Sequence, residues 1–280
     1  MIGRLAFWVS AAFWLVMMAM LVRVDVLPNY IVEDNPGYEA LLRGVESPIV
    51  REMDVYQGSE KVGTSTTTIT PASDGTYTIS NGTTLKIKIA MIESRVQALL
   101  DVNLDKQKEL DKVFLNMSFL GKRADLSGVR EGDKLKLSLN LNGQVYKEEF
   151  PYENGIISSY FEPFALGSRL KVGQVWHTRY LDPLSQKFQT AEVKVVGRET
   201  LEISLKEGEK PRKVSAYKIV TKWGTTELRA WATDTGVVLK EETPLGYTLV
   251  YRENDENDTT GRSIKVLRRE MRGQGPQSRH

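Results

Sequence analysis

Hydrophobic and polar residues alternate along most of this chain with a period of two, the pattern of a half-buried β-strand. The clearest case is Lys134–Leu141, in which leucines at 135, 137, 139 and 141 share one face and polar residues share the other. Asn142-Gly143 follows, and this dipeptide favours a type I′ turn because both positions need a positive φ. The sequence therefore predicts a hairpin that returns through Val145–Phe150.

Two more hairpins are predicted from the same signals in the first third of the chain. One turns at Gln57–Glu60, between Arg51–Tyr56 and Lys61–Thr70. The other turns at Asn81-Gly82, between strands over 76–80 and 83–89, where Leu85, Ile87 and Ile89 alternate with lysines.

The stretch over 93–115 has two interpretations. Apolar residues at 96, 98, 100, 102 and 104 alternate strictly, and Asp105–Lys108 supplies turn residues before Leu110–Leu120. A helix over Glu93–Leu115 is the rival, with Leu99, Leu100 and Leu104 on one side. We favour strands because the alternation persists over five positions.

Further strands are expected in the second half of the chain, separated by glycine- and proline-containing turns. They cover Ala191–Val196, Thr200–Leu205, Val214–Thr221, Thr226–Thr233, Val237–Thr243 and Tyr247–Arg252, with Gly197 separating the first two.

These strands predict a mainly β fold, a large curved antiparallel sheet of half-barrel or barrel-like form over residues 49–252. The intervals are too short for parallel crossover units. The proline- and aromatic-rich region near 151–165 marks a soft internal boundary. It separates either two domains or two halves of one sheet.

The N-terminus holds the longest apolar run, Leu5–Val22, whose only polar member is Ser10. A helix of about 20 residues crosses ~30 Å of hydrocarbon. The run exceeds the ~7–15 residues of a signal-peptide core and ends without an A-x-A cleavage pattern. We predict a signal-anchor transmembrane helix within 1–24, with a cleaved signal and a buried core helix as the alternatives.

The flanking charges predict the orientation of this anchor. Arg4 and the free amine precede the span, whereas acidic residues follow Arg23. This bias favours a cytoplasmic N-terminus, with the rest of the chain extracytoplasmic, or periplasmic in a bacterium.

Two short segments flank the β region. Residues 25–48 are predicted to be a juxtamembrane linker that contains a short helix, YEALLR, ended by Gly44. Residues 253–280 form an acidic turn and a basic tail, in which Arg262–His280 carries a net charge of +5. We expect this tail to be a solvated, disordered terminus, with attachment to anionic lipid headgroups or an acidic partner as the alternative.

Composition narrows the chemistry. Cysteine is absent and the two histidines are His177 and His280, so thiolate catalysis and cysteine metal sites are excluded. A net charge of +2 gives no basic stripe for nucleic acid.

Candidate catalytic groups are few. The pairs Glu148-Glu149 and Glu241-Glu242 lie on strands, where neighbouring residues face opposite ways, so neither pair converges on a substrate. A hydrolase would depend on His177, with Ser158, Ser159 or Ser185 as the nucleophile and Asp182 as the acid.

Three stretches carry a family resemblance. They are DVYQGSEKVG at 54–63, LKVGQVW at 170–176 leading to Asp182-Pro183, and AWATDTGVVLKEE at 230–242. In these the chain resembles bacterial envelope proteins of unknown function, whose curved antiparallel sheets are similar to the half-barrels of lipoprotein carriers and outer-membrane lipoprotein receptors. The resemblance implies a half-barrel with an envelope or transporter protein as partner. This chain lacks the lipid-modified cysteine.

We therefore expect a non-enzymatic, membrane-anchored extracytoplasmic β domain that binds a hydrophobic ligand, such as a lipid or acyl chain, or an envelope protein. The alternative is a structural or assembly subunit of a transporter-type membrane complex. The expected contacts are the bilayer through Leu5–Val22 and the ligand through an apolar face, with no cofactor, metal or nucleic acid. The candidate residues of that face are Leu85, Ile87, Ile89, Leu135, Leu137, Leu139, Val193 and Val195, and ordinary core packing is the competing role for each.

Overall fold

The computed structural model describes residues 38, 41–42, 44–89, 92–152, 170–182, 187–204, 209–234 and 236–253. The predicted membrane segment Leu5–Val22 and the predicted basic tail lie outside the described residues. Among the residues that are described, none belongs to a helix long and apolar enough to cross a membrane.

The described residues form a mainly β fold, a large curved antiparallel sheet. Its strands alternate between apolar and polar faces, as the period-two pattern predicts. The strands are β1 Ile49–Gln57, β2 Glu60–Pro71, β3 Tyr77–Ile89, β4 Ile92–Leu104, β5 Leu110–Phe119, β6 Lys122–Glu131, β7 Lys134–Leu141, β8 Gln144–Pro151, β9 Val175–Asp182, β10 Lys187–Ile203, β11 Arg212–Trp223, β12 Thr226–Ala232, β13 Val238–Glu242 and β14 Tyr247–Arg252.

The strand order is β8-β7-β6-β5-β4-β3-β2-β1-β14-β13-β12-β11-β10-β9. We call β1–β8 the N-terminal arm and β9–β14 the C-terminal arm. Within each arm, every strand pairs with its neighbours in sequence. The two arms meet where β1 pairs with β14, in the middle of the sheet. The sheet is open, since β8 and β9 form its two edges.

Charged side chains span the pairing of β1 with β14. Arg252 Nη2 lies 2.9 Å from Glu52 Oε2, and the two residues are direct partners in the register. Asp54 lies 2.8 Å from Lys61 and 3.6 Å from Arg252. Both carboxylates are largely shielded from solvent. The pairs of Arg252 with Glu52 and Asp54 join the two arms, whereas the Asp54–Lys61 pair lies within the N-terminal arm.

Two predicted hairpins are confirmed. Asn142 and Gly143 have φ of 50° and 96° and join β7 to β8. Gly58, with a φ of 62°, turns β1 into β2. The helix alternative over 93–115 is wrong, because β4 and β5 occupy this stretch.

The predicted turn at Asn81-Gly82 is also wrong, because both residues lie inside the continuous strand β3. The Asn81 side chain donates to Ser65 Oγ at 3.0 Å on β2, so it contributes to the sheet instead of ending the strand. The reversal comes earlier, where Gly75 has a φ of 89° and Asp74 Oδ1 accepts the N–H of Thr76 at 3.0 Å.

Gly197 does not separate two strands as predicted. β10 runs continuously through it, and the register with β11 shifts between Val195 and Gly197, which marks a β-bulge. A bulge reverses which residues face each side, since it inserts one extra residue. The alternation therefore breaks there without a turn.

Among the described residues, three clusters of buried side chains form the core. Cluster 1 lies on one face of the N-terminal arm. Clusters 2 and 3 lie on opposite faces of the C-terminal arm, because Ile219 of cluster 2 and Ala216 of cluster 3 are three residues apart on β11 and so face opposite sides. Cluster 1 consists of Tyr38, Leu41, Leu42, Val45, Ile69, Ile79, Leu100, Val102, Leu104, Leu110, Val113, Leu135 and Leu137; cluster 2 of Met53, Leu170, Trp176, Val193, Val195, Ile219, Ala230, Ala232 and Val238; cluster 3 of Ile203, Ala216, Trp231 and Leu239.

The predicted short helix contributes to cluster 1. Tyr38 and Leu41 are helical, and the N–H of Leu42 donates to the carbonyl of Tyr38 at 3.0 Å. Gly44 ends the turn with a φ of 76°, a conformation that suits glycine. The apolar side chains of this turn pack against one end of the N-terminal arm.

Trp231 anchors cluster 3. Its Nε1–H donates to Glu199 Oε2 at 2.8 Å, and the ammonium groups of Lys240 and Lys218 lie 4.8 and 5.5 Å from its ring. Hydrogen bonds from Lys218 and Trp231 hold the pKa of Glu199 below its usual range. The indole is thus buried with its polar atom satisfied.

Candidate binding surfaces

The outer strands of the N-terminal arm, β4–β8, present two different faces. On the apolar face lie the cluster 1 residues of these strands, such as Leu100, Val113 and Leu137. On the polar face, the register aligns Asp125 with Asn116 and Asn140. Strict alternation in each strand sends the two sets to opposite sides of the sheet.

The helical turn covers only part of the apolar face, and Tyr152 completes that cover. The Tyr152 hydroxyl accepts the N–H of Leu110 at 3.1 Å, and the Arg130 guanidinium lies 4.4 Å from its ring centre. Arg130 also pairs with Glu109 at 2.5 Å and with Asp105 at 3.4 Å. Burial raises the pKa of the Tyr152 hydroxyl.

Beyond this cover, the apolar face continues as an open surface, the apolar shelf. The register places Met117, Ala124 and Leu141 in one row across β5, β6 and β7. Leu139 and Tyr146 are partners in the next row. The shelf consists of Leu85, Ile87, Val96, Met117, Leu139, Leu141 and Tyr146, all half-buried or exposed.

The shelf carries several exposed apolar side chains. Among the described residues, nine large hydrophobic side chains are exposed; Met117, Leu141 and Tyr146 lie on the shelf, whereas Phe114 and Val145 face the opposite side of the sheet. Met117 is 39% and Tyr146 is 44% exposed. Soluble proteins rarely leave contiguous apolar surface uncovered without a binding role.

The structure divides the candidate ligand residues among three places. Leu85, Ile87 and Leu139 lie on the apolar shelf. Leu135 and Leu137 are buried in cluster 1, and Val193 and Val195 are buried in cluster 2. The side chain of Ile89 lies outside the described residues.

Sequence reasoning missed four members of the shelf: Val96, Met117, Leu141 and Tyr146. A signal for Tyr146 was available in the turn at Asn142-Gly143. A two-residue hairpin loop pairs Leu141 with Gln144, and this register sets Leu139 opposite Tyr146. Met117 depends on how β5 pairs with β6, which alternation alone does not fix.

A groove of about 450 Å³ lies on the polar face of β4–β8. Two rows of side chains cross it in register, each running from β4 toward β8. The first row is Leu99, Asn116, Asp125, Asn140 and Val145, and the second is Asp101, Phe114, Ser127 and Ser138.

Hydrogen bonds fix the carboxylates of the groove. Asp125 accepts hydrogen bonds from the Asn116 amide and, at 3.0 Å, from Arg123 Nε. Asp101 accepts from Ser80 Oγ at 2.6 Å. Asn140 Oδ1 accepts the N–H of Gly143 at 2.8 Å, which leaves its amide N–H groups as donors.

The residues considered for catalysis do not form a described site. His177 is exposed on β9, opposite Glu192 of β10. The three candidate serine nucleophiles lie outside the described residues. Among the residues that the structure describes, no three histidine or carboxylate side chains come together as metal ligands.

The two carboxylate pairs are also separated. Glu148 and Glu149 are both exposed on the edge strand β8. Glu241 is buried and pairs in register with Leu249, whereas Glu242 lies 2.6 Å from Lys240. Neighbouring carboxylates thus point to opposite faces, as expected on strands.

No protein-family model matches the chain, and no curated protein is significantly similar to it. A solved structure with some similarity is a β-barrel-like protein of the domain of unknown function DUF1849 from Brucella abortus. The sequences are 8% identical, and the alignment covers 73% of this chain and 94% of the other, with a TM-score of 0.47.

Proposed function

We propose that this chain is a non-enzymatic binding protein, held at a membrane by Leu5–Val22, whose extracytoplasmic β domain binds a hydrophobic ligand on the apolar shelf. The observation that carries the proposal is the continuity between cluster 1 and the shelf. One apolar face is covered at one end by the helical turn and open at the other. An acyl chain on the open end would extend the same packing.

The surroundings of the shelf support an apolar ligand. Leu115 and Leu126 are half-buried between cluster 1 and the shelf, and Phe119 lies beside it on β5. Each buried CH₂ of a ligand contributes about 0.8 kcal/mol, so a chain of several methylenes suffices for binding. No proton donor or nucleophile is needed for this role.

Photocrosslinking tests the proposal in the full chain in its membrane. p-Benzoylphenylalanine replaces Tyr146, which keeps an aromatic side chain on the shelf. The matched control carries the same group at Leu245, which is 81% exposed in the C-terminal arm. We expect a lipid adduct, detected by mass spectrometry, at position 146 and not at position 245.

A second variant separates binding by the shelf from a chance collision. Leu139→Glu introduces a charge on the shelf directly opposite position 146 and is expected to abolish the adduct there. A protein adduct in place of the lipid would identify an envelope partner instead. Equal labelling at positions 146 and 245, or an adduct that persists in Leu139→Glu, would contradict binding by the shelf.

A further inference from the structure

The groove on the polar face of β4–β8 lies on the opposite side of the sheet from the apolar shelf, and the proposed function leaves it without a role. Its volume of about 450 Å³ is within the range of small-molecule sites. It crosses five strands, a span of about 19 Å at the usual spacing between strands. The groove therefore suits an elongated ligand.

The groove offers both donors and acceptors to a ligand. The carboxylates of Asp101 and Asp125 accept hydrogen bonds, and the Asn140 amide donates them. Among the described residues, the hydroxyls of Ser127 and Ser138 have no hydrogen-bond partner, so each can donate and accept. This mixture matches hydroxyl groups, which also donate and accept.

Charge argues against an anionic ligand. Two carboxylates line the groove, Asp101 and Asp125. The cations on the same face are Arg123, paired with Asp125, Lys136, paired with Glu131, Lys112, beside Asp111, and Lys147. A phosphate or sulfate would meet the two carboxylates without a free arginine fork to bind it. A neutral ligand is favoured.

Apolar surface completes the site. The Phe114 ring, 45% exposed, lies in the same row as the two serines. Leu99 and Val145 close the two ends of the other row. An exposed aromatic ring between hydroxyls and amides fits a molecule that has C–H faces as well as hydroxyl edges.

We propose that this groove binds a neutral, polyhydroxylated ligand of the saccharide class, an oligosaccharide or the sugar headgroup of a lipid. The sugar hydroxyls pair with the Asp, Asn and Ser side chains, and a C–H face of a sugar ring packs on Phe114. Phe114 and the pair Ser127 and Ser138 are the residues to test, because they have no described role in holding the strands together.

The test uses the purified full chain on an array of immobilised neutral, sialylated and sulfated oligosaccharides. We expect binding to neutral oligosaccharides. The loss of two hydrogen bonds in the double variant Ser127→Ala, Ser138→Ala weakens this binding about tenfold, as does Phe114→Ala. Ser215→Ala, at an exposed serine of β11, serves as the control and is expected to bind like the wild type.

Vesicles distinguish the two sources of the sugar. Because Leu5–Val22 is expected to insert into either membrane, the full chain is reconstituted into vesicles of phosphatidylcholine with and without a neutral galactolipid, and hydrogen exchange of β4–β8 serves as the measure of headgroup binding. Binding to free oligosaccharides identifies a soluble glycan, and binding to galactolipid vesicles only identifies a headgroup. Hydrogen exchange on the wild type, with and without the bound sugar, is expected to show protection within β4–β8.

Three results would overturn the proposal. The first is an absence of binding to every neutral oligosaccharide and to the galactolipid. The second is binding only to sialylated or sulfated glycans. The third is binding to neutral sugars that neither groove variant weakens, or that protects strands outside β4–β8.

Discussion

The two arms of the sheet have the same connectivity but differ in how their faces are covered. In the C-terminal arm, cluster 2 fills one face and cluster 3 fills the other. In the N-terminal arm, cluster 1 fills part of a single face, and the opposite face of β4–β8 carries the serines, asparagines and carboxylates of the groove. One arm is packed on both sides, and the other is half open.

This difference between the arms indicates which surfaces can bind a ligand without a loss of stability. Side chains such as Trp231 and Ile219 are needed by the C-terminal arm for its own packing and are inaccessible to a ligand. Met117, Tyr146 and Phe114 are exposed, so a ligand can contact them without disturbing the sheet. The filled arm acts as a scaffold for the open one.

Leucine truncation in each arm gives the largest expected contrast. Leu239→Ala removes a buried side chain of cluster 3 and is expected to lower the free energy of unfolding by about 2–5 kcal/mol. Leu141→Ala, on the shelf, is expected to cost about 0.5 kcal/mol or less. Urea unfolding of the full chain measures both, and equal losses would show that the shelf is packed like a core.

Glycine substitution tests how tightly cluster 1 packs on the covered part of the N-terminal arm. A Cβ at Gly128 would lie 2.6 Å from Val113 Cγ1 and 2.7 Å from Leu137 Cδ2, so Gly128→Ala is expected to cost about 1–3 kcal/mol. Gly197, at the bulge, has open space around its Cβ position. Gly197→Ala is the matched control, with little expected change, and the same unfolding experiment compares the two variants.

Tyr152→Phe tests the cover over cluster 1. The variant leaves the Leu110 N–H without its acceptor and is expected to cost about 1 kcal/mol at neutral pH. Because the pKa of Tyr152 is raised in the folded state, its contribution to the free energy of unfolding is fully present below pH 10 and is lost as the pH rises above 10. The stability of Tyr152→Phe is thus expected to decline less between neutral pH and pH 11. A decline as steep as that of the wild type would rule out a contribution from this hydroxyl.

Glu199→Gln, in the filled arm, gives the smallest expected change. The folded pKa of Glu199 is lowered, so its stabilising contribution is present above pH 4.5 and is lost as the pH falls below this value. Glutamine still accepts the Trp231 N–H but does not titrate. The melting temperature of the variant is expected to fall less between pH 7 and pH 3.5 than that of the wild type. An equal fall in both proteins would exclude the Glu199 carboxylate as a source of the acid sensitivity.

Local chemistry made much of the sheet predictable. Periodicity predicts the leucine face of β7. Residue types that favour a positive φ predict the turns at Asn142-Gly143 and Gly58. Asn81-Gly82 was misread because the same dipeptide lies within a strand when its amide bonds to a neighbouring strand. The Gly197 bulge was misread because an inserted residue breaks alternation just as a turn does.

The candidate site was less predictable than the fold. Alternation identified Leu139 and Leu135 as equivalent, yet Leu139 is on the open shelf and Leu135 is fully buried. The difference depends on how far the helical turn reaches over the sheet, which is a tertiary property. The polar groove depends on the register of five strands, and sequence alone did not align Asp125 with Asn140.

The pairing of β1 with β14 has a consequence for the order of folding. Most pairings join consecutive strands and close short loops, whereas Glu52 and Arg252 are 200 residues apart in sequence. The entropic cost of closing a loop grows with its length, and pairing between distant segments is slow. The N-terminal arm can be complete while β1 still has an unpaired edge, which stays exposed until the last strand of the sheet is synthesised. We expect this interval to be when the nascent chain is most prone to aggregation.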